Sequence, residues 1–248
     1  MGAQDTAAPR ITALPGPSSL VRISAGAWER LRAVVLGEAP AAAITAAQRE
    51  GLERAGLLVE APEPEGAPVL APHWEQILRA ALRSPVGIEL VCVDGARGWT
   101  TRIRIAGRVV VVIDRAGEAV TEGGSVRLGR RSGAVLLGVT TLEHLSATFE
   151  QLVPQRPAFT AAEPTPAPSQ EVDAPAVAEV QMLVVSAPSP GRTVVSGGSW
   201  YACGPRGEQL AVLMPAGSGA RAAELAPGSL TSAMRAKVIA AIDHAGAA

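Results

Sequence analysis

The chain is nearly without lysine. Of its 22 basic residues only Lys237 is one, and the rest are arginine. They are balanced to a net charge of −1, which sets up no long-range attraction for nucleic acid or anionic lipid. Aromatic residues make up 3% of the chain, too few for a base-stacking platform. A disulfide between the two cysteines, Cys92 and Cys203, is open to the sequence but nothing in it supports one. They lack the C-x-x-C spacing of a zinc or redox site and read as reduced core thiols. His73, His144 and His244 are far apart in sequence. None has a partner at i+4, so neither a metal nor a cofactor is expected. No run of about 18 apolar residues occurs, so no transmembrane helix and no membrane insertion are expected. Met1 to Pro17 lacks the basic start and apolar core of a signal peptide, which makes the cytoplasm the expected location.

Catalytic patterns are equally sparse. Gly197-Gly-Ser199 carries a serine behind glycines, but no glycine follows two residues later and the segment reads as strand. A nucleophile elbow needs a sharp strand-to-helix turn there. Gly217-Ser-Gly219 follows a strand, yet Glu224 to Pro227 separate it from the next helix. A phosphate cradle runs directly into a helix N-terminus. Asp94, Asp114 and Glu208 are too dispersed for the sequence to pair them. No enzyme activity is expected.

What is present is a core's worth of apolar residues, 48% of 248, in a pattern that changes period. Residues 1–19 read as a disordered leader. Ser24 can cap a helix over 25–36 with Trp28, Leu31 and Val35 on one face. Thr45-Ala-Ala-Gln48 fits a capping box opening a second helix that ends at Gly56. Residues 60–68 read as a surface loop. A third helix is expected from Pro72 to Arg83, with Trp74, Ile77 and Leu78 inward. The period then drops to 2. Strands are expected over 86–93, 99–106 and 108–114, with a hairpin at Asp94–Gly98, and again over 125–129 and 134–139. Thr140-Thr-Leu-Glu143 fits another capping box, opening a helix that closes at Pro154. Residues 154–178, rich in proline and alanine, read as a linker. Strands over 180–186, 192–203 and 208–214 and a helix from Ser229 complete the chain. This predicts an α+β fold: a central, mostly antiparallel sheet built from two pseudo-repeated halves (20–153 and 179–248) and flanked by helices. Trp99 and Trp200 fall in corresponding hairpins of the two halves.

The strongest local charge signal is Arg97, Arg102, Arg104, Arg127, Arg130 and Arg131. It reads either as a solvated arginine face or as a basic face for an acidic partner or RNA. Trp99 and Trp200 read either as packed on the sheet or as exposed partner anchors.

The order of segments resembles the EspG family, the secretion-associated chaperones of actinobacterial type VII (ESX) systems. The likeness runs over about residues 20–246. It rests on Leu52-Glu-Arg-Ala-Gly-Leu57, on Leu78 to Pro85 leading straight into Val86-Gly-Ile-Glu-Leu90, and on Leu142-x-x-Leu145 closing at Leu152-Val-Pro154. Gly197-Gly-Ser-Trp200, Gly204-Pro-Arg-Gly207 and the terminal helix carry it into the second half. It departs from the family at Trp200-Tyr-Ala-Cys-Gly204, where a polar Trp-x-Asp-type hairpin is common, and in the length of the 154–178 segment. The resemblance implies a non-enzymatic cytosolic chaperone that binds a helical secreted client, of PE–PPE or WXG100 type. The candidate partner-binding residues are Asp94, Arg97, Trp99, Arg102, Arg104, Trp200, Arg206 and Met234. The competing reading is a winged-helix-like regulatory or DNA-binding protein, built on Ile44–Val59 and Val69–Leu82.

Overall fold

The structure is a computed structural model that describes residues 11–59, 69–122, 125–163, 172–216 and 219–246. Strand β1 (Ser19–Ser24) leads directly into helix α1 (Ala25–Leu36). The Ser24 hydroxyl accepts the Ala27 N–H, and Gly37 closes the helix in the left-handed region at φ 77. Helix α2 (Ala46–Arg54) opens on the expected capping box: Thr45 and Gln48 each satisfy the other's backbone N–H. A two-stranded sheet, β2 (Leu58–Val59) and β3 (Val69–Leu70), joins α2 to α3 (Pro72–Leu82). Pro72 occupies the first turn of α3, where its missing N–H has no partner to lose.

Strands β4 (Val86–Asp94), β5 (Arg97–Ala106) and β6 (Val109–Glu122) form a meander. The β4–β5 connection is a two-residue hairpin with Gly95 at φ 58, a backbone region open to glycine at little cost. The far half of β6 pairs with β7 (Ser125–Arg131), and its near half with β8 (Ala134–Thr141). Helices α4 (Leu145–Leu152) and α5 (Pro157–Thr160) follow. Then β9 (Ala176–Ser186), β10 (Val194–Cys203), β11 (Gln209–Ala216) and β12 (Gly219–Leu225) form a second meander, closed by α6 (Leu230–Gly246).

All of these strands except β2 and β3 share one antiparallel sheet, in the order β1-β8-β6-β5-β4-β9-β10-β11-β12, with β7 off this path on β6. The two meanders meet at β4 and β9, paired from Val86↔Ser186 to Asp94↔Ala178. The chain is thus α+β, with its sheet growing outward from the β4·β9 pair in both halves and helices against both faces. Alternation along the strands divides the core in two. On one face, Leu90, Ile103, Val112, Val180 and Trp200 pack beneath α4, α5 and α6 through Phe149, Phe159, Met234 and Val238. On the other, Ile23, Val111, Ile113, Val135 and Leu137 pack beneath α1, α2 and α3 through Trp28, Leu31, Leu52, Trp74 and Leu78.

Four sequence expectations are corrected. The leader ends earlier than residue 19: Ile11 and Leu14 are buried in the core, and β1 seals one edge of the sheet. Residues 154–163 are not linker: Val153 and Pro154 are buried and α5 carries Ala158 and Phe159 into the core. Thr140 and Glu143 form no capping box. The Thr140 hydroxyl donates to the Pro15 carbonyl, and Glu143 pairs with Arg108. Gly219–Leu225, which the sequence reading left outside any strand, form β12. The loop at 60–68 and residues 164–171 of the linker lie outside the described residues.

One buried polar pair sits inside the first core. Thr101, fully buried, donates to the Asp114 carboxylate at 2.5 Å. Thr101→Val keeps the side-chain shape and removes that donor from a buried acid. Urea denaturation should read a loss of about 1–3 kcal/mol.

Candidate functional site

The helical layer α1–α3 stops short. Residues paired directly across strands share a face, so the ladders show what it covers. Val111 and Ile113 of β6 lie under it, and their partners on β5 are Arg104 and Arg102. Those two arginines mark its margin. Beyond them the same face continues over β4, β9, β10 and β11, and among the described residues no helix of the α1–α3 layer lies above it. One row reads Arg104, Gly87, Val185, Val195, and the next reads Arg102, Glu89, Leu183, Gly197. A third reads Thr100, Val91, Gln181, Ser199. On this bare half Leu183 is 46% exposed, Val195 56% and Leu213 48%. The opposite face of the same strands is buried under α6.

A shallow depression of about 420 Å³ lies in the bare half, lined by Glu89, Val91, Leu183, Gly197 and Ser199 among others. A Cβ at Gly197 would come within 2.6 Å of the Met182 carbonyl oxygen. A second hollow, about 270 Å³, sits at the step between helices and sheet. Trp28, Leu36, Leu82 and Ile113 give it an apolar wall, and Arg32, Arg102 and Arg104 give it charge.

The charges in this step are unevenly matched. Arg32 pairs with Glu29 at 3.3 Å and Glu38 at 3.4 Å, and Arg102 with Glu89 at 3.4 Å. Among the described residues no carboxylate lies within ion-pair distance of Arg104. Its guanidinium is half-buried and lies over Gly87, in space that any side chain at 87 would fill. Burial and the neighbouring Arg102 charge pull its pKa below the ordinary value, with Glu89 opposing. At the far end of the face, burial and then Glu179 push the Tyr201 phenol above its usual value.

The residues singled out from sequence divide into three groups. Arg102 and Arg104 border the bare face. Trp99, Trp200 and Met234 are buried and offer no surface to a partner. The two tryptophans are not exposed hairpin anchors: register puts Trp99, Cys92, Val180 and Trp200 in one row across the sheet, beneath the α4–α6 layer. Asp94 and Arg97 end the strands that flank the β4–β5 turn and Arg206 lies on the β10–β11 turn, away from the bare face. The Asp94 carboxylate accepts from Arg156 Nε at 2.9 Å and Nη2 at 2.5 Å, which ties the β4–β5 hairpin to the residue before α5. Arg97 stands opposite Glu118, and the Arg206 backbone N–H donates to Glu208. Asp94, Asp114 and Glu208 thus each serve a separate local contact. Of the wider arginine set, Arg130 and Arg131 are exposed on β7, and the Arg127 side chain lies outside the described residues.

Sequence reasoning missed Leu183, Val195, Leu213 and Glu89. It also missed two hydrogen bonds of the histidines, His144 with Thr141 and His244 with the buried Ser186. Ser199 lies within β10 rather than on an elbow. Cys92 and Cys203 are buried thiols outside any disulfide, and burial raises the Cys203 pKa, away from nucleophilic thiolate. Among the described residues no three His, Cys, Asp or Glu gather as metal ligands, and no helix is long and apolar enough to cross a membrane. No protein-family model matches this chain, and no curated protein does.

Proposed function

We propose that this chain is a holding chaperone of the EspG kind, which shields an amphipathic helix of a secreted client on the bare half of its sheet. One observation carries the reading. Leu183, Val195 and Leu213 are exposed together on a continuous antiparallel face whose other half is roofed by three helices. Large exposed apolar side chains gathered on one face are a feature of binding faces. A client helix supplies what is missing, because its apolar stripe meets the sheet as α1–α3 do on the first half. The EspG-like segment order agrees in fold class, and it supplies the client class, a PE–PPE or WXG100-like helical protein. The cytosol is the compartment this role requires.

The test is co-expression with each small helix-rich protein encoded beside this chain. A stable, soluble complex is expected with at least one. Leu183→Glu places a charge in the middle of the face, and it should weaken that complex at least about tenfold, since a desolvated unpaired charge costs several kcal/mol. Because Leu183 is a surface residue, stability should shift by no more than about 0.5 kcal/mol. Undiminished binding by Leu183→Glu would remove this face as the client's seat.

The regulatory reading has the α2–β2–β3–α3 order in its favour. The net charge of −1 runs against it, since phosphate binding draws on a basic face. A gel shift at low salt would restore it.

A further inference from the structure

We infer that the occupant of the bare sheet face is an acidic amphipathic helix, selected by a carboxylate beside its apolar stripe that pairs with Arg104. This rests on the bare half being the client's seat, and it adds a chemical class and a selecting residue to that reading.

The layout argues for it. Arginines stand at one margin, in adjacent rows, and the rows run from them into Val185 and Val195 and into Leu183 and Gly197. From β5 to β10 is three strand spacings, about 14 Å. A helix with its side chains is about 10–12 Å across. A helix lying along β9 therefore sets its stripe on Leu183 and Val195 while one flank reaches the arginine margin. The eleven residues of β9 extend about 36 Å, long enough to seat a helix of about 20 residues, some 30 Å.

The charge at that flank is specific. Arg32 and Arg102 are already matched by Glu29, Glu38 and Glu89, whereas Arg104 has no acid of its own among the described residues. It is half-buried and lines the hollow at the step together with Trp28 and Ile113, so a carboxylate arriving there is partly desolvated by the client itself. A charge-assisted, two-pronged bond to guanidinium is strong in that setting. A lysine at the same place on the client would meet the Arg104 charge, and like charges brought close discriminate against the wrong partner.

The probes are two synthetic amphipathic helices with one apolar stripe, flanked by glutamate in one and by lysine in the other. Binding to the full chain is read by fluorescence anisotropy at low and high salt. The glutamate helix should bind about tenfold more tightly than the lysine helix, and the preference should shrink with salt. Arg104→Gln should erase it and Arg104→Lys should keep part of it. Arg104→Glu should reverse it, an outcome that lost folding cannot mimic. Leu183→Glu should weaken both helices. Equal binding of the two helices, both weakened by Leu183→Glu, overturns the charge selection and leaves the seat standing. Binding of neither helix, or binding indifferent to Leu183→Glu, overturns the seat and the inference with it.

Discussion

Phe159→Ala should destabilise the protein by about 3–5 kcal/mol in equilibrium denaturation, the range of a large aromatic removed from a packed core. In a linker the same change would cost almost nothing. The side chain is 1% exposed, and the short helix that carries it is held by its backbone on both sides. The Ala158 N–H donates to the Gly207 carbonyl at 3.0 Å, and the Ala158 carbonyl accepts from Gly228 at 3.0 Å. Phe159 cannot retreat from the cavity without breaking these bonds, so the site collapses poorly and the loss should fall in the upper part of the range. Gly228 belongs to the same lock. It has φ 85, and a Cβ there would lie 2.6 Å from the Ala161 carbonyl oxygen. A stability change below about 0.5 kcal/mol, the scale of surface substitutions, would return this stretch to linker.

Most of the fold was legible where one rule governs a segment. Ser24, the Thr45–Gln48 box, Pro72 and the β-branched run Val109–Ile113 each declare their role through local chemistry, and each stands as expected. Composition misled where tertiary packing overrides it. Residues 154–163 are framed by prolines, yet Phe159, one of only two phenylalanines in the chain, was a signal that a buried anchor sat inside. The site was harder. Alternation in β9 and β10 marks two faces but does not say which will be roofed. That depends on α1–α3 covering β1, β8 and β6 and ending at β5, a consequence of strand order that no local pattern encodes. Arg102 and Arg104 were legible as a polar face of β5. Their neighbours Leu183 and Val195, about 80 to 90 residues later in the chain, became visible only through the β4·β9 and β9·β10 ladders.

Trp99→Ala should also cost about 3–5 kcal/mol, and here a milder variant separates two contributions. The indole N–H donates to the carbonyl of Leu152, the last residue of α4, at 2.8 Å, and the Cys92 thiol contacts the same oxygen at 3.8 Å. Carbonyls in the last turn of a helix have no partner within it. Trp99 therefore acts from β5 as a cap for α4, which ties the first meander to the helical layer shared with α6. Trp99→Phe retains much of the packing and removes the donor. It should lose about 1–3 kcal/mol, the cost of a buried carbonyl deprived of its bond. Amide exchange gives the sharper reading: in Trp99→Phe the protection of α4 should fall more than that of α1–α3, which sit on the opposite face of the sheet. Equal loss of protection in both layers would mean that the indole contributes bulk to the whole core and does not anchor α4.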